Sequence, residues 1–71
     1  MFTDVFNQLL QKRNITAYKL SKDTGITQGM ISYWKSGERL PSAEHLITLG
    51  DYFDCSIDYL LGRTNNPGIN K

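Results

Sequence analysis

The side chains with chemistry to offer are hydroxyls and one amide gathered in a short span: Thr16, Thr27, Gln28, Ser32 and Tyr33. A threonine just ahead of a helical segment uses its oxygen to accept from backbone N–H groups of the first turn. The N-terminus of such a helix can also bind an anion through its free N–H groups, without any cationic side chain. Covalent chemistry is not on offer. His45 and Cys55 do not make a metal-ligand set, no glycine-rich phosphate loop occurs, and the Ser, His and Asp residues show no placement that suggests a triad. The chain is therefore read as no enzyme, with no catalytic residue, no cofactor and no metal.

The elements that must position these groups are two short helices. Caps at Thr16 and Thr27 leave room for only about two helical turns between them. Ile15 and Leu20 flank the first cap at hydrophobic-staple spacing, and Ile26 and Ile31 flank the second in the same way. Gly25 stands where the first helix must stop and turn, a place that commonly needs the positive φ that glycine reaches without a Cβ penalty. Leu20, Ile26, Ile31 and Trp34 then meet on the inside, with Ser21 small enough to let the helices cross. Gln28, Gly29, Ser32 and Tyr33 are left on the outer side of the second helix. The pattern predicts a helix-turn-helix whose second helix, 27–35, enters the major groove of DNA.

The remainder reads as helices with short connections. A first helix fits Thr3 to Arg13, with Val5, Phe6, Leu9 and Leu10 at helical spacing, and Asn14 as a left-handed terminator. After Trp34, the polar run through Gly37 and Pro41 excludes continued helix. Ser42 caps a fourth helix whose apolar residues Ala43, Leu46, Ile47, Leu49, Gly50, Tyr52 and Phe53 cover more than one face, suggesting core on one side and a partner on the other. Ser56 caps a short fifth helix, with Cys55 and Leu60 at staple spacing and Gly62 closing it. Residues 1–62 are expected to form one domain and 63–71 a flexible tail or linker.

Seventy-one residues make one domain near the small end of what folds unaided; such a chain buries only roughly 60% of its unfolded surface. The single Cys55 excludes an internal disulfide, which makes a reducing cytoplasm the simpler setting. No apolar run approaches the roughly 18 residues of a membrane span and no signal-peptide pattern opens the chain, so a soluble cytoplasmic protein is expected. The net charge of +1 hides an asymmetry. Residues 1–40 carry Lys12, Arg13, Lys19, Lys22, Lys35 and Arg39 against Asp4, Asp23 and Glu38, whereas residues 41–71 carry Arg63 and Lys71 against Glu44, Asp51, Asp54 and Asp58. The half containing the hinge is thus the basic one, oriented toward phosphate, and the acidic half is left for protein contacts.

On these residues, 6–62 resembles the Cro/C1-type, or XRE-like, helix-turn-helix domain of phage repressors and bacterial transcriptional regulators. The resemblance is carried by Leu9, Ile15-Thr16, Leu20-Ser21, Gly25 to Gln28, Ile31-Ser32, Trp34, Gly37, Pro41-Ser42 and the closing run from Cys55 to Gly62. It implies an all-α, compact five-helix bundle of the lambda-repressor-like type. It further implies sequence-specific binding of double-stranded operator DNA by a homodimer, most simply as a repressor, with no membrane partner.

The resemblance places base contacts at Gln28, Gly29, Ser32 and Tyr33. Gln28 can pair through its amide with N6 and N7 of adenine. It places phosphate contacts at Thr16, Thr27, Ser36, Gly37 and Arg39, with Ala17, Tyr18 and Lys35 within reach, and a two-fold contact at Tyr52, Phe53, Ile57 and Tyr59. The chain departs from the pattern in three ways. Ala17 stands where the family often has a glutamine that braces the first base-reading residue. Gly29 supplies no second reading side chain, which shifts weight toward DNA shape. Leu10 and Lys35 replace an Arg and a Glu that often pair; losing both avoids an unpaired buried charge and frees Lys35 to approach phosphate. A different class of function on the same fold is a protein-interaction module, such as an antitoxin or the N-terminal fragment of a larger regulator.

Overall fold

The computed structural model describes residues 2–63, and among these the fold is all-α. Five helices follow one another: α1 (Phe2–Lys12), α2 (Ala17–Thr24), α3 (Gln28–Ser36), α4 (Ala43–Phe53) and α5 (Ile57–Leu60). The expected tail lies, from residue 64 onward, outside the described residues.

Four of the helices start as their sequence dictates. Thr16, Thr27, Ser42 and Ser56 all hold extended backbone, and each side-chain oxygen accepts from the N–H three residues on: Lys19 at 3.1 Å, Met30 at 3.3 Å, His45 at 3.4 Å and Tyr59 at 3.0 Å. The stops are equally local. Gly25, at φ 80°, returns its N–H to the Ser21 carbonyl at 2.8 Å and ends α2. Asn14 turns out of α1 at φ 53°. Asp54 ends α4 in the left-handed region at φ 54°, a stop that no glycine or asparagine signals in the sequence there. Short polar residues tolerate that region better than other non-glycine residues do.

The core is one cluster built around aromatic rings. Phe2 stacks on Phe6 with centroids 5.2 Å apart; Trp34 meets both edge-on, at 6.3 and 5.8 Å, and Phe53 meets Phe6 edge-on at 6.4 Å. Leu9, Leu10, Leu20, Ile26, Ile31, Leu49, Cys55 and Leu60 complete it. The expected first helix, Thr3 to Arg13, thus begins one residue earlier, because Phe2 lies one turn before Phe6 and seals the same face. α3 rests on this cluster through Ile31 and Trp34, both fully buried, and is held from behind by α1, whose Asn7 amide donates to the Lys35 carbonyl at 3.1 Å. Its other face is left to solvent.

Candidate nucleic-acid interface

With Ile31 and Trp34 turned inward, helical geometry puts Gln28, Gly29, Ser32 and Tyr33 outward, and all four are exposed. Gly29 occupies ordinary helical space: a Cβ added there would meet no atom within 4 Å. Its lack of a side chain is therefore not demanded by packing. It leaves open space on the outward face, one turn before Tyr33.

The two threonine caps border this face, one at the start of α2 and one at the start of α3. Each spends acceptor capacity on its helix and keeps its hydroxyl hydrogen, so each can still donate to an anion placed over the helix end. Ala17 is half-buried against the core, and Tyr18 beside it is exposed, with the Lys22 ammonium 6.0 Å from its ring centroid. A shallow groove runs past Asn7, Leu10 and Gln11 of α1 to Thr16, Ala17 and Lys35. Exposed Lys35 thus lines the same groove as the start of α2, and Leu10 is buried in the core where an arginine would need a partner.

At the far end of α3, the Tyr33 carbonyl gathers the following turn. It accepts from the Ser36 hydroxyl at 3.1 Å and from the Glu38 N–H at 3.0 Å, and the Gly37 N–H closes on it with φ 83°. The Ser36 oxygen in turn accepts from the Glu38 N–H at 3.3 Å. Ser36 is thereby drawn into bracing the loop, with its hydroxyl hydrogen already committed. The Arg39 guanidinium lies over the Tyr33 ring, 4.6 Å from its centroid. Among the described residues the only ion pair is Lys19 with Asp23, at 3.2 Å, so Arg39 keeps its charge unneutralised.

The residues expected at a two-fold contact are dispersed. Phe53 is 0% exposed, because it forms part of the aromatic core under the Arg13 guanidinium, and that burial removes it from any docking surface. Tyr52 is half-buried, and its hydroxyl donates to Asp23 at 2.7 Å. Tyr59 is half-buried as well. Ile57 is 38% exposed, and its apolar neighbour at the surface is Ile47, at 54%, with Gly50 at the floor of the groove between α4 and α5. The sequence pattern of the fourth helix includes Ile47 among its apolar residues without marking it as the exposed one. No cluster of His, Cys, Asp and Glu that could hold a metal exists among the described residues, and no helix there is long and apolar enough to cross a membrane.

Set against known proteins, residues 7–60 match the family model described as helix-turn-helix. The chain belongs to the Cro/C1-type helix-turn-helix family. It is 27% identical over 67 residues to an uncharacterized HTH-type transcriptional regulator, YobD, of Bacillus subtilis, covering 94% of this chain and 60% of that protein. It is 36% identical over 63 residues to the HTH-type transcriptional regulator AnsR of the same organism, covering 89% and 54%. It is 32% identical over 60 residues to the HTH-type transcriptional activator BcrR of Enterococcus faecalis, covering 84% and 29%. A crystal structure of a transcriptional regulator from Listeria innocua superposes with a TM-score of 0.82 at 27% identity, covering 93% of this chain and 62% of that one. The helix-turn-helix chain thus spans less than two thirds of the length of each of these relatives.

Proposed function

We propose that this helix-turn-helix domain binds double-stranded DNA at specific sites and regulates transcription, with α3 in the major groove. The observation that carries this reading is the outward face of α3. Gln28, Gly29, Ser32 and Tyr33 are exposed together, and their helix is fixed from behind by Ile31 and Trp34. Gln28 reads a base edge through its amide, and Ser32 adds a hydroxyl. Thr16, Ala17, Tyr18, Thr27, Lys35 and Arg39 hold the flanking phosphates through N–H groups, hydroxyls and charge, while Ser36 and Gly37, whose donors are spent on the Tyr33 carbonyl, shape the loop that carries Arg39.

Two copies would place their α3 helices in successive major grooves about 34 Å apart, so the operator is an inverted repeat with that spacing. Ile47 and Ile57 supply the apolar contact between copies on α4 and α5. Regulation is by repression, through occlusion of a promoter, and the setting is the cytoplasm. Selection of bound duplexes from a random DNA pool tests this reading. Enrichment of an inverted repeat supports it, and a pool that stays random through successive rounds refutes it. The protein-interaction alternative draws support from the same Ile47 and Ile57 groove. It predicts a stable complex with an unlike protein and no enrichment of any DNA sequence.

A further inference from the structure

We infer that Tyr33 is a positioning residue for Arg39: its ring and its carbonyl together carry the guanidinium to the end of α3, where it neutralises a DNA phosphate. The inference rests on the DNA-binding reading above and changes the role of Tyr33 within it.

Two independent contacts from one residue converge on the same loop. The Tyr33 carbonyl fixes the first turn beyond α3, through Ser36, Gly37 and Glu38, and so sets the direction in which the chain leaves the helix. The Tyr33 ring then receives the Arg39 guanidinium at 4.6 Å. A planar, weakly hydrated guanidinium lies flat on an aromatic face and keeps its in-plane N–H donors directed away from it. Arg39 lies in an exposed loop, where an arginine otherwise loses much side-chain freedom on docking to an anion; the stack removes part of that freedom beforehand.

Position on the helix completes the argument. Tyr33 follows Gly29 by one turn on the outward face, and Gly29 leaves open space beside it. The stack therefore draws Arg39 back toward the face of α3 instead of leaving it in the solvent beyond the loop. Its charge is not cancelled by any carboxylate among the described residues. The geometry is that of a clamp whose cation is supplied by one residue and whose aim is supplied by another.

The test is the salt dependence of binding to a mixed-sequence 20-base-pair duplex, which needs no knowledge of the operator. Each neutralised phosphate contributes roughly 0.9 to the slope of log affinity against log salt. Arg39→Ala should flatten the slope by about that amount. Tyr33→Leu removes no charge, yet it should also flatten the slope measurably and weaken binding roughly two- to five-fold. Tyr33→Phe keeps the ring and should retain the original slope. Adding Tyr33→Leu to Arg39→Ala should change the slope no further. Tyr33 is exposed, and circular dichroism with thermal melting establishes that each variant is folded.

If Tyr33→Leu keeps the full slope while Arg39→Ala flattens it, Tyr33 does not position Arg39. If neither variant alters the slope, Arg39 is no phosphate ligand and the inference fails while DNA binding stands. Absence of any salt-dependent binding by the unaltered protein would overturn the DNA reading itself, and this inference with it.

Discussion

The Tyr52 hydroxyl donates to the Asp23 carboxylate at 2.7 Å, joining α4 to α2 across twenty-nine residues of chain. Lys19 approaches the same carboxylate from one turn away, at 3.2 Å. Asp23 is thus held below its ordinary value of 3.8, first by the Tyr52 hydrogen bond and then by the Lys19 contact, while the bond to Asp23 raises Tyr52 above its ordinary value of 10.0.

The sign of the pH dependence follows from these directions. A carboxyl with a depressed folded value contributes stability that is complete above 3.8 and is lost as pH falls through the folded value. A tyrosine with a raised folded value contributes stability below 10.0 that is lost as pH rises through its own folded value. Tyr52→Phe should lower the melting temperature at pH 7 and make the acid and alkaline limbs of the stability profile shallower. Urea titrations at a series of pH values check this, and parallel profiles for the two proteins would refute it.

Gln28→Ala should cost about 1–3 kcal/mol of affinity on the preferred site and relax preference at one base position. Fluorescence anisotropy on the selected site and on single-base variants measures it. An equal loss on preferred and scrambled duplexes would assign Gln28 to the phosphates instead.

The threonine caps allow folding and DNA binding to be separated. Asp caps a helix about as well as Thr, so Thr27→Asp should leave stability within roughly 0.5 kcal/mol of the parent. It also places a negative charge at a helix end proposed to face phosphate, and should weaken binding to all duplexes. Undiminished affinity in a folded Thr27→Asp protein would remove the start of α3 from the interface.

Gly29 and Gly50 should respond oppositely to the same substitution. Gly29→Ala adds a Cβ in open helical space and should stabilise the fold by up to about 1 kcal/mol. Gly50→Ala brings its Cβ to 3.0 Å from the Cys55 carbonyl oxygen, a backbone atom, and should destabilise by about 1–3 kcal/mol. Chemical denaturation of the two variants side by side decides the matter; a neutral Gly50→Ala would mean that the turn into α5 can yield.

What the sequence makes legible here is whatever is settled within a few residues. Thr16, Thr27, Ser42 and Ser56 cap as their types require, and Gly25 and Asn14 take the left-handed turns expected of them, because each of these interactions closes over a single turn. Of the contacts that escaped, Tyr52 with Asp23 is made across the fold, and Arg39 with Tyr33 depends on the path the chain takes out of α3; no local pattern announces either. In α4, apolar residues fall on several faces, so the choice between Phe53 inside and Ile47 outside depends on where the rings of α1 and α3 lie. The outward face of α3 was legible because Ile31 and Trp34 leave it little freedom of rotation.

That division of α3 has a consequence for how such a protein changes over time. The residues that anchor the helix and the residues proposed to read DNA occupy separate positions, Ile31 and Trp34 on one side and Gln28, Gly29 and Ser32 on the other. Even the turn that follows α3 is tied to the carbonyl of Tyr33, which any residue at that position would supply. Drift at Gln28 and Ser32 can thus redirect the domain to new sites while the melting point scarcely moves, so binding preference and foldability are inherited as nearly independent traits.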